Sequence, residues 1–231
     1  MKKYSYKAIL LVLLCNLSVL ATAQQALVEL PEGFVYAKEV IPKLRTDLRY
    51  YSSNNFIGKP IDGYIQPKCI LTKEAAAALN KVQEELQMLG FGLLVYDAYR
   101  PQRAVDQFVT WVNDSTDVKM KEKFYPNVNK KDLIAEQYIA AKSGHSRGST
   151  VDVTIVSLTT GHLLDMGSPY DLFDEKSSIN YPNITRNQHA VRLLLKRRME
   201  KHGFVSHPKE WWHFTLKKEP YPDKYFDFPV E

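Results

Sequence analysis

The chain has 231 residues, 45% apolar and 25% charged, with 12 Pro, 10 Gly and two Cys. That usage excludes a collagen, a coiled coil and a largely disordered chain. Thirty-one Lys and Arg against 26 Asp and Glu give a formal charge of +5, which would suit an acidic partner if the charges were grouped to meet one.

Much of that charge sits at the start of the chain. Lys2, Lys3 and Lys7 precede the apolar run Ala8 to Leu14, and Ala21-Thr22-Ala23 follows it. This is the order of a secretory signal, so residues 1–23 are expected to be a signal peptide and 24–231 the mature domain. An uncleaved anchor is the alternative, disfavoured by a short apolar stretch broken at Asn16 and Ser18. Cys15, inside the run after Leu14, does not suit a lipoprotein. Cleavage after Ala23 removes three lysines and no acid, taking +5 to +2. The expected product is a near-neutral, exported, periplasmic protein with no membrane anchor left. Nothing in it argues for nucleic acid. Cys69 then remains alone and no internal disulfide is available. It reads as a small buried hydrophobe, and the chain is long enough to bury a core as one domain.

Residues 24–67 are turn-rich with few clear periods. Thr72 is placed to cap a helix over Lys73–Leu89 that Gly90 ends. Phe91–Tyr96 reads as a buried strand. Pro101 opens a helix to Trp111. Residues 114–130 are polar and read as a surface excursion, and Asp132 as the cap of a short helix to Ala141. Thr150–Val156 is rich in β-branched residues and reads as a strand. A loop-heavy stretch over 157–183 leads to a basic amphipathic helix, Arg186–His202, stopped by Gly203, whose Arg and Lys read as its solvated face. Trp212–Leu216 reads as a last strand. Helices and strands mix without a regular repeat, so the expected class is α+β: a single domain with a small, mainly antiparallel sheet flanked by helices.

Of six histidines, two stand in unusual company. His145 lies in Ser143-Gly-His-Ser-Arg-Gly148-Ser-Thr-Val-Asp152, and His213 in Glu210-Trp-Trp-His213. A catalytic zinc takes three ligands from His and carboxylates and keeps one position open. His145, Asp152 and His213 supply two imidazoles and one carboxylate, a set that suits Zn2+ better than magnesium or calcium. On one straight strand His145 and Asp152 would face opposite sides, so a turn between them is required; Gly144 and Gly148 allow it. Glu210, three residues before His213, is the candidate base if Pro208 holds a turn ahead of the strand. Each motif alone has a structural explanation, a His–Asp pair or a capped aromatic pair. Together they favour a metal site. The other histidines read as surface or core residues.

At these motifs the sequence resembles the zinc D-alanyl-D-alanine dipeptidases of the VanX type, within the wider family of D-Ala-D-Ala peptidases. The likeness runs from about Val35 to the C-terminus. It includes Asp62-Gly-Tyr64, Asp97-Ala-Tyr-Arg-Pro101, Tyr125-Pro-Asn127, Ser143 to Thr154, Asp171, Glu210 to His213 and the tail from Glu219. The resemblance implies one zinc ion on His145, Asp152 and His213, and Glu210 as general base and then acid. It implies Arg100 as the group that meets the oxyanion, where the residues alone suggest a salt bridge to Asp97. It assigns Asp171 to the substrate's ammonium, and Ser143 and Tyr50 to the same small pocket.

The implied substrate is a small dipeptide whose two terminal charges must both be met. Gly144 departs from the family, where serine is common. The expected export signal is a larger departure, because a dipeptidase sent across the membrane would meet dipeptide released from the cell wall. A zinc D,D-carboxypeptidase or endopeptidase trimming wall stem peptides is the near alternative, and a non-catalytic zinc-binding module the distant one. Oligomeric state is left open.

Overall fold

The β-branched run Thr150–Ser157 is buried at every residue but the last, and the rest of the fold is arranged around it. The computed structural model describes residues 29–231; the expected signal segment, residues 1–23, lies outside the described residues. In chain order come β1 (Phe34–Tyr36), α1 (Ala37–Val40), β2 (Arg45–Thr46), β3 (Ile70–Thr72), α2 (Lys73–Gln87) and β4 (Phe91–Asp97). They are followed by α3 (Gln102–Asn113), α4 (Lys121–Phe124), β5 (Thr150–Ser157), α5 (Arg186–Lys201), β6 (Phe204–Ser206) and β7 (His213–Leu216).

Five strands form the main sheet in the order β2-β4-β5-β7-β6, while β1 and β3 pair separately. All pairs are antiparallel except β2–β4. The class is α+β, as expected. Alternation along β5 sorts its side chains between the two faces. Val151, Val153 and Ile155 join Leu79, Val82 and Leu86 of α2 and Leu195 and Met199 of α5 in one core. Asp152 and Thr154 therefore turn to the opposite face. Thr72 caps α2 through the Ala75 amide, and Thr185 with Gln188 forms a capping box on α5, two local signals that fix where these helices start.

A second core is rich in aromatic rings. Tyr50, Phe56, Tyr64, Phe108, Trp111 and Phe173 pack there with ring centroids 4.8–5.9 Å apart. It is built from α3, the irregular segments and the C-terminal tail, and it abuts the strand ends that carry Asp97 and Asp152.

Three expectations need correction. No helix forms over 132–141. A 3-10 turn at Lys130–Asp132 is followed by turns, with Gln137 left-handed at φ +62°, and the amides of Tyr138 and Ile139 both return to the Leu133 carbonyl. So short a helix is marginal by itself, and burying Leu133 and Ile139 in the aromatic core decides the conformation. Residues 114–130 are only in part a surface excursion: most of them are exposed, but Phe124 and Tyr125 are buried. Lys130 donates to the carbonyls of Asp114 and Asp117 and lies 4.1 Å from the Trp111 ring centroid. The third correction is Arg192, which is 1% exposed instead of lying on a solvated helix face. Among the described residues no helix is long and apolar enough to cross a membrane.

Candidate active site

Three neighbouring strands place the first side chains. Asp152 of β5 pairs directly with His213 of β7. On the other side a β-bulge between Val95 and Asp97 brings Asp97, rather than Tyr96, opposite Asp152. A bulge of this kind re-aims a side chain at the end of a ladder. The turn expected between His145 and Asp152 is a 3-10 turn over Gly144–Arg147, closed by Gly148 in the left-handed region at φ +80°. A Cβ at Gly148 would lie 2.2 Å from the Phe34 ring, so the turn needs glycine both for its φ and for this approach.

The turn delivers His145 with its Nδ1 2.7 Å from the Ala98 carbonyl. That oxygen can only accept, so Nδ1 carries the proton and Nε2 presents a lone pair. His145 Nε2 lies 3.2 Å from Asp152 Oδ1 and 3.3 Å from His213 Nδ1, and Asp152 Oδ1 lies 3.1 Å from His213 Nδ1. Asp152 Oδ1 is buried and has no hydrogen-bond donor. The lone pair of His145 Nε2 and the oxygen of Asp152 face each other with no proton between them and repel unless a cation joins them, and His213 Nδ1 completes the triangle. Donors at ~2.0–2.1 Å from a tetrahedral ion stand ~3.3 Å apart, which is the observed spacing. The triad fits a metal ion, and it is the group among the described residues whose ligand atoms converge in this way.

The surrounding groups fix these ligands. Tyr170 donates to Asp152 Oδ2 at 3.0 Å. Asp97 accepts from Tyr64 at 2.7 Å and from Arg100 Nε and Nη2, each at 2.9 Å. The expected Arg100–Asp97 ion pair is thus present, and the guanidinium also lies over the rings of Tyr50 and Phe108 at 4.9 and 5.2 Å. Burial works against the charge of Arg100, but Tyr50, Asp97, Tyr64 and Asp152 around it hold it protonated.

Glu210 reaches the same space from the turn before β7, with its Oε2 3.4 Å from His213 Nδ1. Burial, with the Asp152 charge adding to it, pushes its carboxyl up to about 8, against the opposing pull of Arg100 and His145. Asp171 is buried, and burial with the Asp152 and Glu210 charges drives its carboxyl well above the usual range. Tyr50 donates to it at 3.1–3.2 Å. Ser143 caps the His145 turn by accepting from the His145 amide at 3.3 Å.

All eight residues singled out from the sequence therefore converge on one cavity of about 170 Å³. Three contributors were missed. Asp97 figured only as a salt-bridge partner, because nothing in the sequence announces the bulge. Tyr170 stands next to Asp171 but belongs to no motif. His207 also lines the cavity, its ring centroid 5.4 Å from that of His213. Burial and the neighbouring His213 lower its pKa to about 4, so it is a neutral wall and not a surface histidine.

The family model described as D-ala-D-ala dipeptidase matches residues 31–231. A D-alanyl-D-alanine dipeptidase of Streptomyces coelicolor is 46% identical over 197 residues, covering 85% of this chain and 98% of the relative. One from Enterococcus faecalis is 44% identical over 198 residues, 86% of this chain and 98% of its own. That of Escherichia coli is 35% identical over 180 residues, covering 77% and 81%. Among solved structures, the LdcB LD-carboxypeptidase superposes with a TM-score of 0.44 at 18% identity, over 84% of this chain and 72% of that one.

Proposed function

We propose that this chain, which belongs to the D-ala-D-ala dipeptidase family, is a metallopeptidase that hydrolyses D-alanyl-D-alanine to two D-alanines at one ion held by His145, Asp152 and His213. The observation that carries the reading is the triangle of potential ligand atoms at 3.1–3.3 Å beside a buried, protonatable Glu210. Zinc is the ion this donor set suits, and when bound it supplies a Lewis acid and lowers the pKa of coordinated water.

The chain's own groups do the rest. Glu210 takes a proton from the attacking water onto a carboxylate oxygen and returns it to the leaving amine as the C–N bond breaks. Arg100 faces the charge that develops on the carbonyl oxygen, held in place by Asp97 and unable to deprotonate. Asp171 is a buried carboxylate whose protein partner is the neutral Tyr50, an arrangement that a substrate ammonium would complete. Ser143, whose oxygen already accepts from the His145 amide, keeps its O–H free to donate to the substrate carboxylate. A cavity of about 170 Å³ suits a short substrate, and meeting both terminal charges selects for length.

The expected signal sequence supports export, and with it a supply of dipeptide from wall turnover. Fractionation finding only unprocessed cytosolic protein would sink that part. The central test is hydrolysis of D-Ala-D-Ala and of a wall pentapeptide, with chelator and then zinc add-back. Dipeptide cleavage abolished by chelator and restored by zinc is expected. Cleavage of the pentapeptide alone would move the assignment to a D,D-carboxypeptidase, and cleavage of neither to a non-catalytic module.

A further inference from the structure

Arg192 lies on α5, away from the metal ligands, and is almost fully buried. A buried guanidinium ordinarily sits against a carboxylate. This one spends its donors on backbone. Nε donates to the Met166 carbonyl at 2.5 Å, Nη1 to Ser178 at 2.5 Å, and Nη2 to Lys176 at 2.8 Å and to the Ser168 hydroxyl at 3.3 Å. Burial lowers its pKa to about 10, with Asp165 the one charge that opposes the drop. At neutral pH it remains a cation whose work is to gather carbonyls.

All four partners belong to one stretch, residues 166–178, and Asp171 lies near its middle, with Met166 and Lys176 equally far on either side. The stretch has no regular structure beyond a 3-10 turn at Glu175–Ser177, so its polar backbone must be met by side chains. Arg192 closes the base of this loop as the ends of an Ω-loop are closed. At the tip, Asp171 is left-handed at φ +59°, a conformation that a non-glycine residue keeps only where its surroundings hold it. The clasp extends to the catalytic turn as well. Trp211, next to Glu210, donates its indole N–H to Ser168 Oγ at 2.9 Å and its amide to the Ser177 carbonyl at 2.9 Å.

We propose that Arg192 is a positioning residue: by pinching the base of the 166–178 loop it holds Asp171 in the conformation that receives the substrate's ammonium group. The inference rests on the reading of Asp171 given above. It assigns substrate affinity to a residue that touches neither metal nor substrate.

The test uses zinc-loaded enzyme and steady-state kinetics on D-Ala-D-Ala. Arg192→Lys keeps the charge but cannot span three carbonyls. KM should rise about tenfold, the loss of roughly one charge-assisted contact, while kcat moves less. A merely structural role would lower the active fraction, and so the apparent kcat, with KM unchanged. Ser168→Ala removes one partner without emptying the site and should raise KM in the same direction, which keeps the test open if the Lys variant does not fold. Asp171→Asn should raise KM by itself, and adding Arg192→Lys to it should raise KM little further. If Asp171→Asn raises KM while Arg192→Lys and Ser168→Ala leave it unchanged, the positioning role is refuted and the reading of Asp171 stands. If Asp171→Asn leaves KM unchanged, the ammonium reading fails and this inference with it.

Discussion

Replacing Tyr170 by Phe removes one oxygen and leaves the ring packing intact. The ring stacks on Tyr96 at 4.3 Å and meets Trp212 edge-on at 5.3 Å, contacts that Phe reproduces. The lost group is the hydroxyl that donates to Asp152 Oδ2 at 3.0 Å. Burial, reinforced by the Asp152 charge, pushes its pKa far up, so it is a proton donor at any working pH. The next cation, Arg100 Nη2, is 3.8 Å from the same oxygen, too far to take over the bond. A hydrogen bond to a charged group contributes about 1.5–3 kcal/mol. At about 1.4 kcal/mol per decade, the metal should bind roughly 10- to 100-fold more weakly, the range seen when groups that orient metal ligands are removed. Competition against a chelator of known zinc affinity measures this, and kcat at saturating zinc should stay within a few-fold. Unchanged zinc affinity would refute the argument, and a collapsed kcat with unchanged affinity would show that the hydroxyl acts on the substrate instead.

Other outcomes follow from the same geometry. Glu210→Ala should keep its metal, read by metal analysis, and lose at least about 100-fold in kcat; full turnover would place the base elsewhere. Cys69 is buried, and burial raises its thiol to about 12. Native protein at pH 8 should therefore resist iodoacetamide and take up label only after unfolding, whereas stoichiometric labelling of the folded enzyme would contradict its burial. Gly144→Ser should destabilise by about 1–3 kcal/mol in urea unfolding, because a Cβ there would stand 2.6 Å from Thr150 Oγ1. Thr150→Ala in the same chain should recover part of that loss.

The Gly144 case shows what sequence reading sees and what it misses. The resemblance leads one to expect serine there, and the glycine is visible in the chain. Its reason is not, because Thr150 pairs with Thr215 at 2.8 Å across β5 and β7 and fills the space a side chain would need. Local signals were legible wherever a single segment decides its own conformation. The Thr72 cap, the Gly90 and Gly203 stops and the β-branched run of β5 each predicted an element that is present. The two zinc-type motifs were legible for the same reason, since each carries its ligands within a few residues.

Elements decided by distant partners were not legible. Phe124 and Tyr125 look like part of a polar stretch until the aromatic core they close is assembled, and Leu133 and Ile139 overrule a helix that Asp132 could have capped. Asp97 reaches Asp152 only because a bulge shifts β4, and a bulge leaves no periodic trace. Arg192 is the clearest case. Hydrophobic periodicity reports whether a side chain faces the interior, and it assigns arginine to solvent because charge is costly to bury. It cannot register that the carbonyls of an irregular loop, gathered from positions 166 to 178, provide the compensating partners. The resemblance that singles out Asp171 is therefore readable along the chain, whereas the residue that holds Asp171 in place is readable only in three dimensions.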